Sequence, residues 1–289
     1  MIFVAARSTY YWLSDGFSVS KIKNTFPIEE KWQLNPPSQR QQKILKQVCE
    51  HPFRYLGKGS QAYAFISDDK QYVLKLFKCY HLTPVDWLMK VPMPDSLCSW
   101  RDETRYKRQK RIDDTLNSYK IAAKHLTSEC GIIAMEILPT AGVQQPVTLI
   151  DKLGRHHTID LGNYGFILQR RADLVYPSLS KWIAKDELQE AKKALRSLVQ
   201  LIVQRSKKGI QDSDPDLHKN AGLIGTDAIF IDLGSFHENT EAKKAAVYGQ
   251  DLRKITNNLR MWLEKQSPEL ATFLVNEIVA AEKAKLELF

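Results

Sequence analysis

The period of hydrophobic and polar positions changes several times along this chain. From Phe53 to Lys78 the stretch FRYLGKGSQAYAFISDDKQYVLKLFK interleaves aromatic and β-branched residues with polar ones, broken by a glycine turn and an Asp-Asp turn. Side chains of a strand alternate between faces, so this pattern predicts three strands of an antiparallel meander. Over residues 102–127 the spacing lengthens. Ile112, Leu116, Tyr119, Ala123 and Leu126 recur at three and four residues, which predicts one long helix stopped by Gly131. Strands are predicted again in GIIAMEIL, in PVTLIDKLGRHHTIDL with its turn at Gly154, and in YGFILQRR. A helix over 185–207 carries the stripe Leu188, Leu195, Leu198 and Ile202 and ends at Gly209. Two more helices follow, one over 247–265 and one from Ser267-Pro268, a good cap and first-turn pair.

Strands with one helix, then mostly helices, make an α+β chain of two unlike lobes. Residues 51–171 read as a small antiparallel β lobe with one helix, and 172–289 as a compact, mainly α lobe. Residues 1–50 read as an N-terminal extension and connector: PIEEKWQLNPPSQRQQ is polar with a Pro36-Pro37 pair, and a helix follows through QQKILKQVCE. The aromatic, Pro-broken pieces at 80–100 carry no predicted element, and there is no internal repeat.

Charge widens the set of partners. The 289 residues carry a net charge of +9, which suits nucleotides, phosphorylated substrates, nucleic acids or acidic lipid surfaces, and serves plain solubility equally well. The run RYKRQKR (105–111) falls on the long predicted helix. Such a run is most often a solvated face, and less often a contact for nucleic acid, an anionic surface or a lipid headgroup. No specific nucleic-acid motif accompanies it, and the tryptophans read as core and lobe packing. Cys49, Cys79, Cys98 and Cys130 form no CxxC, so reduced structural thiols are expected rather than a zinc site or redox pair. The chain has neither the usual signal-peptide layout nor a membrane-spanning segment. The expected location is cytoplasmic, with membrane-surface association or secretion without a cleaved signal as alternatives. No HExxH and no GxSxG is present, which argues against a zincin and a hydrolase nucleophile elbow.

Three places carry candidate chemistry. In LGKGSQAYAF, Gly57 and Gly59 bracket a turn between strands, where backbone N–H groups can approach a ligand with no Cβ in the way. A lone Gly-x-Gly there is more often a simple hairpin. In YVLKLFK, Lys75 lies in an apolar strand, where a charge is costly unless an anion meets it. Lys78 is expected to point to solvent. In DSDPDLHKNAGLIGTDAIFIDLGSF, Asn220 and Asp232 flank a β-hairpin and fall at its open end. The plain alternatives are a turn residue and a strand-end cap.

Taken in order, these motifs resemble the protein-kinase-like superfamily over residues 53–260. LGKGSQAYAF resembles its Gly-rich loop, YVLKLF its phosphate-gripping lysine strand, and IDLG its metal-binding Asp-Phe-Gly. The resemblance implies a two-lobed protein-kinase-like fold that binds ATP and Mg²⁺. Gly57, Gly59 and Ser60 would cover the phosphates and Lys75 would pair the α/β-phosphates. Asn220 and Asp232 would hold metal, and the backbone around Arg170 and Ala172 in LQRRAD would take the adenine edge. The chain also departs from the pattern. The third loop glycine is Ala62, no His-Arg-Asp precedes Asn220, and Pro215 stands where the catalytic Asp belongs. Asp212, Asp214 and Asp216 surround that position. Asp214 is the favoured group to align the acceptor hydroxyl or take its proton, and an acidic turn cap after Gly209 is the plain alternative. Glu103, Asp113 and Asp114 stand on or near the long helix as acidic candidates to pair with Lys75, and Glu129 falls in the loop after it.

No Ala-Pro-Glu follows Gly234. The layout is therefore closer to the aminoglycoside and lipopolysaccharide-core sugar kinases than to a regulated protein kinase, and an atypical bacterial kinase is an equally fair description. The expected activity is transfer of the γ-phosphoryl group of ATP to a hydroxyl of a small molecule, sugar/lipid or protein. The alternative is a pseudokinase acting as a nucleotide-binding or scaffolding module.

Overall fold

The meander forms as β1 (Phe53–Lys58), β2 (Ala62–Ser67) and β3 (Tyr72–Phe77). In the computed structural model, which describes residues 11–24, 29–81, 91–139 and 143–283, these strands sit in the middle of a seven-stranded sheet. The first ten residues and the Pro-broken stretch 82–90 lie outside the described residues. The other strands are β4 (Ile132–Glu136), β5 (Pro146–Ile150), β6 (His156–Asp160) and β7 (Phe166–Arg170), in the order β4-β7-β3-β2-β1-β5-β6. All neighbours are antiparallel except β1 and β5, which run parallel with Phe53 opposite Leu149. The lobe is thus mixed rather than wholly antiparallel. The chain reaches β5 only after a long excursion, so the strand need not reverse as a hairpin partner must.

The two longer helices of this part of the chain are those expected through QQKILKQVCE and over 102–127. The first, α1 (Gln39–Cys49), starts at a capping box in which Ser38 Oγ accepts from Gln41 N–H and Gln41 Oε1 accepts from Ser38 N–H. The second, α2 (Asp95–His125), begins earlier than the apolar spacing indicated. By packing, the chain forms two compact units: residues up to Lys120 with Ile132–Arg171, and Ile121–Gly131 with Ala172 onward.

The core of the first unit lies on one face of the sheet. Tyr63 opposes Leu76 and Phe65 opposes Leu74, and all four are buried. The N-terminal extension completes this core. Phe17, 1% exposed, meets the rings of Tyr63 and Phe65 at 5.2 Å each. Side-chain bonds to its backbone hold it there: Tyr63 OH donates to Gly16 O at 2.9 Å, and Cys79 Sγ donates to Ile22 O at 3.1 Å. Burial raises the Cys49 and Cys79 thiols to about 12, so both are inert packing groups. Trp32 is the one buried tryptophan among the described residues. Trp12 and Trp100 are exposed, contrary to the expectation that tryptophans would line the core.

The second unit holds α3 (Val175–Ala184), α4 (Leu188–Lys207), α5 (Ala245–Gln266) and α6 (Pro268–Lys283). The predicted 185–207 helix starts at Leu188, because Asp186 adopts a left-handed φ of 58° and ends the preceding helix. Two small sheets complete the unit: β8 (Asp173–Leu174), β10 (Ala221–Ile224) and β11 (Asp227–Phe230) in one, β9 (Ile210–Asp212) and β12 (Phe236–Glu238) in the other. No helix among the described residues is long and apolar enough to cross a membrane.

Two measurements test this packing. Phe17→Ala leaves a hole under the sheet and should cost about 3–5 kcal/mol in a urea titration. A loss under about 1 kcal/mol would mean that the N-terminal segment is not part of the core. The second concerns Asp151 in the β5–β6 turn. Burial alone would raise its pKa, but bonds from His157, from the Arg155 side chain and backbone, and from Leu153 N–H outweigh it and hold the carboxyl at about 2. Its folded pKa is below the ordinary aspartate value of 3.8, so its stabilisation is present above that pH and disappears as the pH falls towards 2. Across that window the wild type should lose about 2 kcal/mol more than Asp151→Asn. Parallel acid-unfolding curves would refute this role.

Candidate active site

The glycine turn and Lys75 are joined by strand register. Gly57 opposes Ala64, and Ala64 opposes Lys75. Residues directly opposite share a face, so the three form one row, with the α-carbons of Gly57 and Lys75 about 10 Å apart across β2. Ala64 keeps the middle of that row low. Phe77 shares the face of Lys75 and packs on Tyr119 of α2 with ring centroids 4.7 Å apart. Lys75 is half-buried on this face, away from the core formed by Leu74 and Leu76.

Within the turn, Gly59 N–H donates to Ala62 O at 2.9 Å, and Gly59 and Ser60 are exposed. A Cβ at Gly57 would meet nothing within 4 Å, and one at Gly59 only Ala62 O at 3.9 Å. Neither position has a left-handed φ. The fold itself therefore has no need of glycine at either position.

Lys78 does not reach solvent as expected. It shares strand parity with Leu74 and Leu76, which turns it inward: it is buried, donates to Gly59 O at 2.5 Å and lies 4.7 Å from the Tyr63 ring centroid. Burial lowers its pKa, and Lys58 and Lys21 add to the effect. The acidic candidates for Lys75 have other partners or face water. Glu103 pairs with Lys107 at 2.6 Å, Asp113 with Lys31 at 3.8 Å, and Glu129 with Lys208, while Asp114 is exposed.

Arg170 ends β7 opposite Tyr72 and is exposed, and Arg171 N–H donates to Gln71 O at 2.7 Å. Ala172 begins the second unit and packs on Gly222 of β10. A Cβ at Gly222 would lie 2.8 Å from Ala172 Cβ and 3.0 Å from Asp173 O. Here glycine is a packing requirement.

The second unit gathers Asp214, Asn220 and Asp232 around the open end of the β10–β11 hairpin. Asn220 is buried and is the joint. Its Nδ2 donates to Asp214 O at 2.6 Å, and its own carbonyl accepts from Ile231 N–H at 2.9 Å and Asp232 N–H at 3.4 Å. With Nδ2 committed, Oδ1 is the atom it can offer to a cation. The Asp232 carboxylate is exposed and accepts from Gly234 N–H at 3.1 Å.

The three candidate bases separate by what holds them. Asp212 is buried in β9, accepting from Ser235 Oγ at 2.6 Å and Asp214 N–H at 3.0 Å. Asp216 caps the turn by accepting from His218 N–H at 2.9 Å, with Lys219 Nζ 3.5 Å away. Asp214 is exposed, and its backbone alone is tied into the turn.

Beneath this turn lies a charge network that pattern reading missed. Arg205 of α4 is 1% exposed, with Asp212 at 3.6 Å, Asp251 of α5 at 3.3 Å, and its guanidinium 5.3 Å from the Phe230 ring centroid. Burial lowers its pKa and the two carboxylates oppose that. A signal was present: Arg205 stands three residues beyond Ile202 on the apolar stripe, a core position for a charge.

No family model and no curated protein matches the chain. Among solved structures it is similar to WbdD. A high-resolution crystal structure of WbdD matches 78% of this chain and 44% of that chain at 18% identity, with a TM-score of 0.35. A structure described as the bifunctional kinase-methyltransferase WbdD matches 77% and 43%, at 18% identity and TM-score 0.34. A co-crystal structure of WbdD with the kinase inhibitor LY294002 matches 78% and 44%, at 16% identity and TM-score 0.35. The chain spans less than half the length of these structures. Similarity of this degree leaves the functional case to the site's own residues.

The glycines supply a direct check by thermal melting. Gly57→Ala and Gly59→Ala should melt with or slightly above the wild type, since an alanine there restricts the unfolded chain and crowds no neighbour. Gly222→Ala should lose about 1–3 kcal/mol by overpacking. The opposite ranking would overturn this assignment of which glycines are structural.

Proposed function

We propose that this chain is a phosphotransferase of kinase-like fold that uses Mg²⁺–ATP to phosphorylate a hydroxyl. The observation that carries the reading is the joint at Asn220, which ties the backbone of Asp214 to that of Asp232 and so groups three oxygen-bearing residues. An amide oxygen and a carboxylate are hard donors suited to magnesium, which takes few protein ligands and fills its other positions with phosphate and water oxygens. The Cβ-free space at Gly57 and Gly59, in register with Lys75, fits the phosphates.

In this reading Lys75 pairs the α/β-phosphates and the 57–60 turn covers them. Arg170 and Ala172 present backbone groups to the adenine edge, and Asn220 and Asp232 hold the metal. Magnesium bound there supplies charge neutralisation at the phosphate oxygens. Asp214 aligns the acceptor hydroxyl and accepts its proton, while the acceptor oxygen forms a bond to the γ-phosphorus and the bond to the bridging β–γ oxygen breaks. Positioning and charge account for most of the acceleration, because the transfer asks little covalent chemistry of the protein.

Pro215 favours a second reading, since it occupies the family's catalytic position. In that case the chain binds nucleotide without turning it over. Melting the protein with ATP, with and without Mg²⁺, tests the binding half of both readings. At ligand far above Kd the wild type should gain about 5 °C, and Asp232→Ala and Lys75→Ala should gain little. No gain up to millimolar ATP would sink the nucleotide-binding reading. Asp214→Asn should keep the melting gain and lose ATP turnover. A wild type with the gain but no turnover against any hydroxyl acceptor would instead be the pseudokinase.

A further inference from the structure

The basic run at 105–111 and the exposed tryptophans take no part in the site described above. Contacts within the first unit nonetheless link the segment that carries Trp12 to the helix that carries the run and Trp100. Lys152 Nζ donates to Asp15 Oδ2 at 3.1 Å, and Lys58 Nζ donates to Asp15 O at 3.2 Å. Lys58 Nζ lies 4.9 Å from the Tyr11 ring centroid, and Lys21 Nζ lies 5.3 Å from the same ring. Lys21 is also 6.0 Å from the Tyr80 ring, and the Tyr80 carbonyl accepts from Arg108 at 2.9 Å. Arg108 belongs to the run on α2, where Arg105, Lys107, Lys110 and Arg111 are exposed. Asp15 is the one carboxylate in this succession of contacts.

Large apolar side chains border the band at both ends. Trp12 is 75% exposed with Leu13 beside it, and on α2 Trp100 is 56% exposed with Leu97 one turn away. Exposed apolar groups that adjoin a basic band point to an interaction site rather than ordinary scatter. Three kinds of group decide the partner. Cations seek an anionic surface, and indole rings settle at the boundary between water and lipid. Exposed leucines gain from acyl chains but have no part in phosphate contacts or base stacking, which is how single-stranded nucleic acid is held.

We propose that this surface docks the protein on an anionic lipid bilayer, with Trp12 and Trp100 entering the headgroup region and Lys21, Lys58, Lys152 and the 105–111 run meeting the lipid phosphates. Lys58 belongs to the glycine turn, whereas the 105–111 run and both tryptophans lie outside the phosphotransfer site, so the inference does not rest on that reading.

The test is co-sedimentation of the full chain with phosphatidylcholine vesicles, and with vesicles of equimolar phosphatidylcholine and phosphatidylglycerol. Binding should require phosphatidylglycerol and weaken about tenfold or more from low to high salt. Trp12→Ala with Trp100→Ala should lower it severalfold. Lys107→Glu with Lys110→Glu should lower it about tenfold or more, since each basic residue near such a surface is worth roughly fivefold. All four positions are exposed, so the tryptophan pair should melt like the wild type and the charge pair only slightly below it, because Lys107→Glu replaces the pairing with Glu103 by a like charge; the charge pair decides the matter independently of the tryptophan pair. Equal sedimentation with both vesicles, or none with either, overturns the proposal. So does tighter binding to a single-stranded oligonucleotide that Leu13→Ala and Leu97→Ala leave unchanged, which would make the surface a nucleic-acid site.

Discussion

A buried guanidinium organises the second unit. Arg205 has no access to water, so its charge must be met by carboxylates, and removing one partner of such a pair typically costs about 3–5 kcal/mol. The partners come from two directions, Asp212 at the end of β9 and Asp251 on α5. Asp212 then has one oxygen left to order its surroundings, and that oxygen receives both Asp214 N–H and Ser235 Oγ. The turn that presents Asp214 and the segment just after Asp232 are thereby fastened to the same carboxylate. Asn220 closes the arrangement from the other side through its bonds to Asp214 and Asp232. The exposed groups of the candidate site thus rest on buried groups that pair with one another.

The first unit works by a different constraint. Its sheet has one face given to the core and the other to Lys75 and Phe77, and strand alternation allows no exchange between them. The N-terminal segment is drawn into the core by Phe17, and its position fixes Asp15, which in turn holds Lys58 of the glycine turn. Lys78 reaches the same turn from below through Gly59 O. The loop is open above, where its glycines face empty space, and tied below by two lysines. That combination leaves room for a ligand while limiting the conformations of the backbone that would meet it.

Much of this was legible in the sequence, for reasons of period. The meander, the long helix, the hairpin after Asn220 and the start of the last helix at Pro268 are local patterns, and each formed close to where its pattern indicated. The position of Lys75 opposite the core also follows from alternation. The same rule, applied to Lys78, would have placed it with Leu74 and Leu76; the expectation of a solvent-facing lysine gave too much weight to its charge. The break at Asp186 was not legible, because no glycine or proline announces it; the start of α2 is marked by Pro94 directly before Asp95, but its apolar spacing begins only further along the helix.

The amino-acid sequence by itself determined the strands, the helices and the order of the candidate motifs, because alternation, helical spacing and turn chemistry act between near neighbours. Only the tertiary structure decided that β5 pairs parallel with β1, that Asp212 is buried while Asp214 is exposed, and that tryptophans 12 and 100 stand in water. It alone brought Asp15 to Lys58 and Arg205 to Asp251. Those outcomes depend on which distant segments meet, and on how a charge shut away from water finds its partner, and neither is written in the spacing of neighbouring residues.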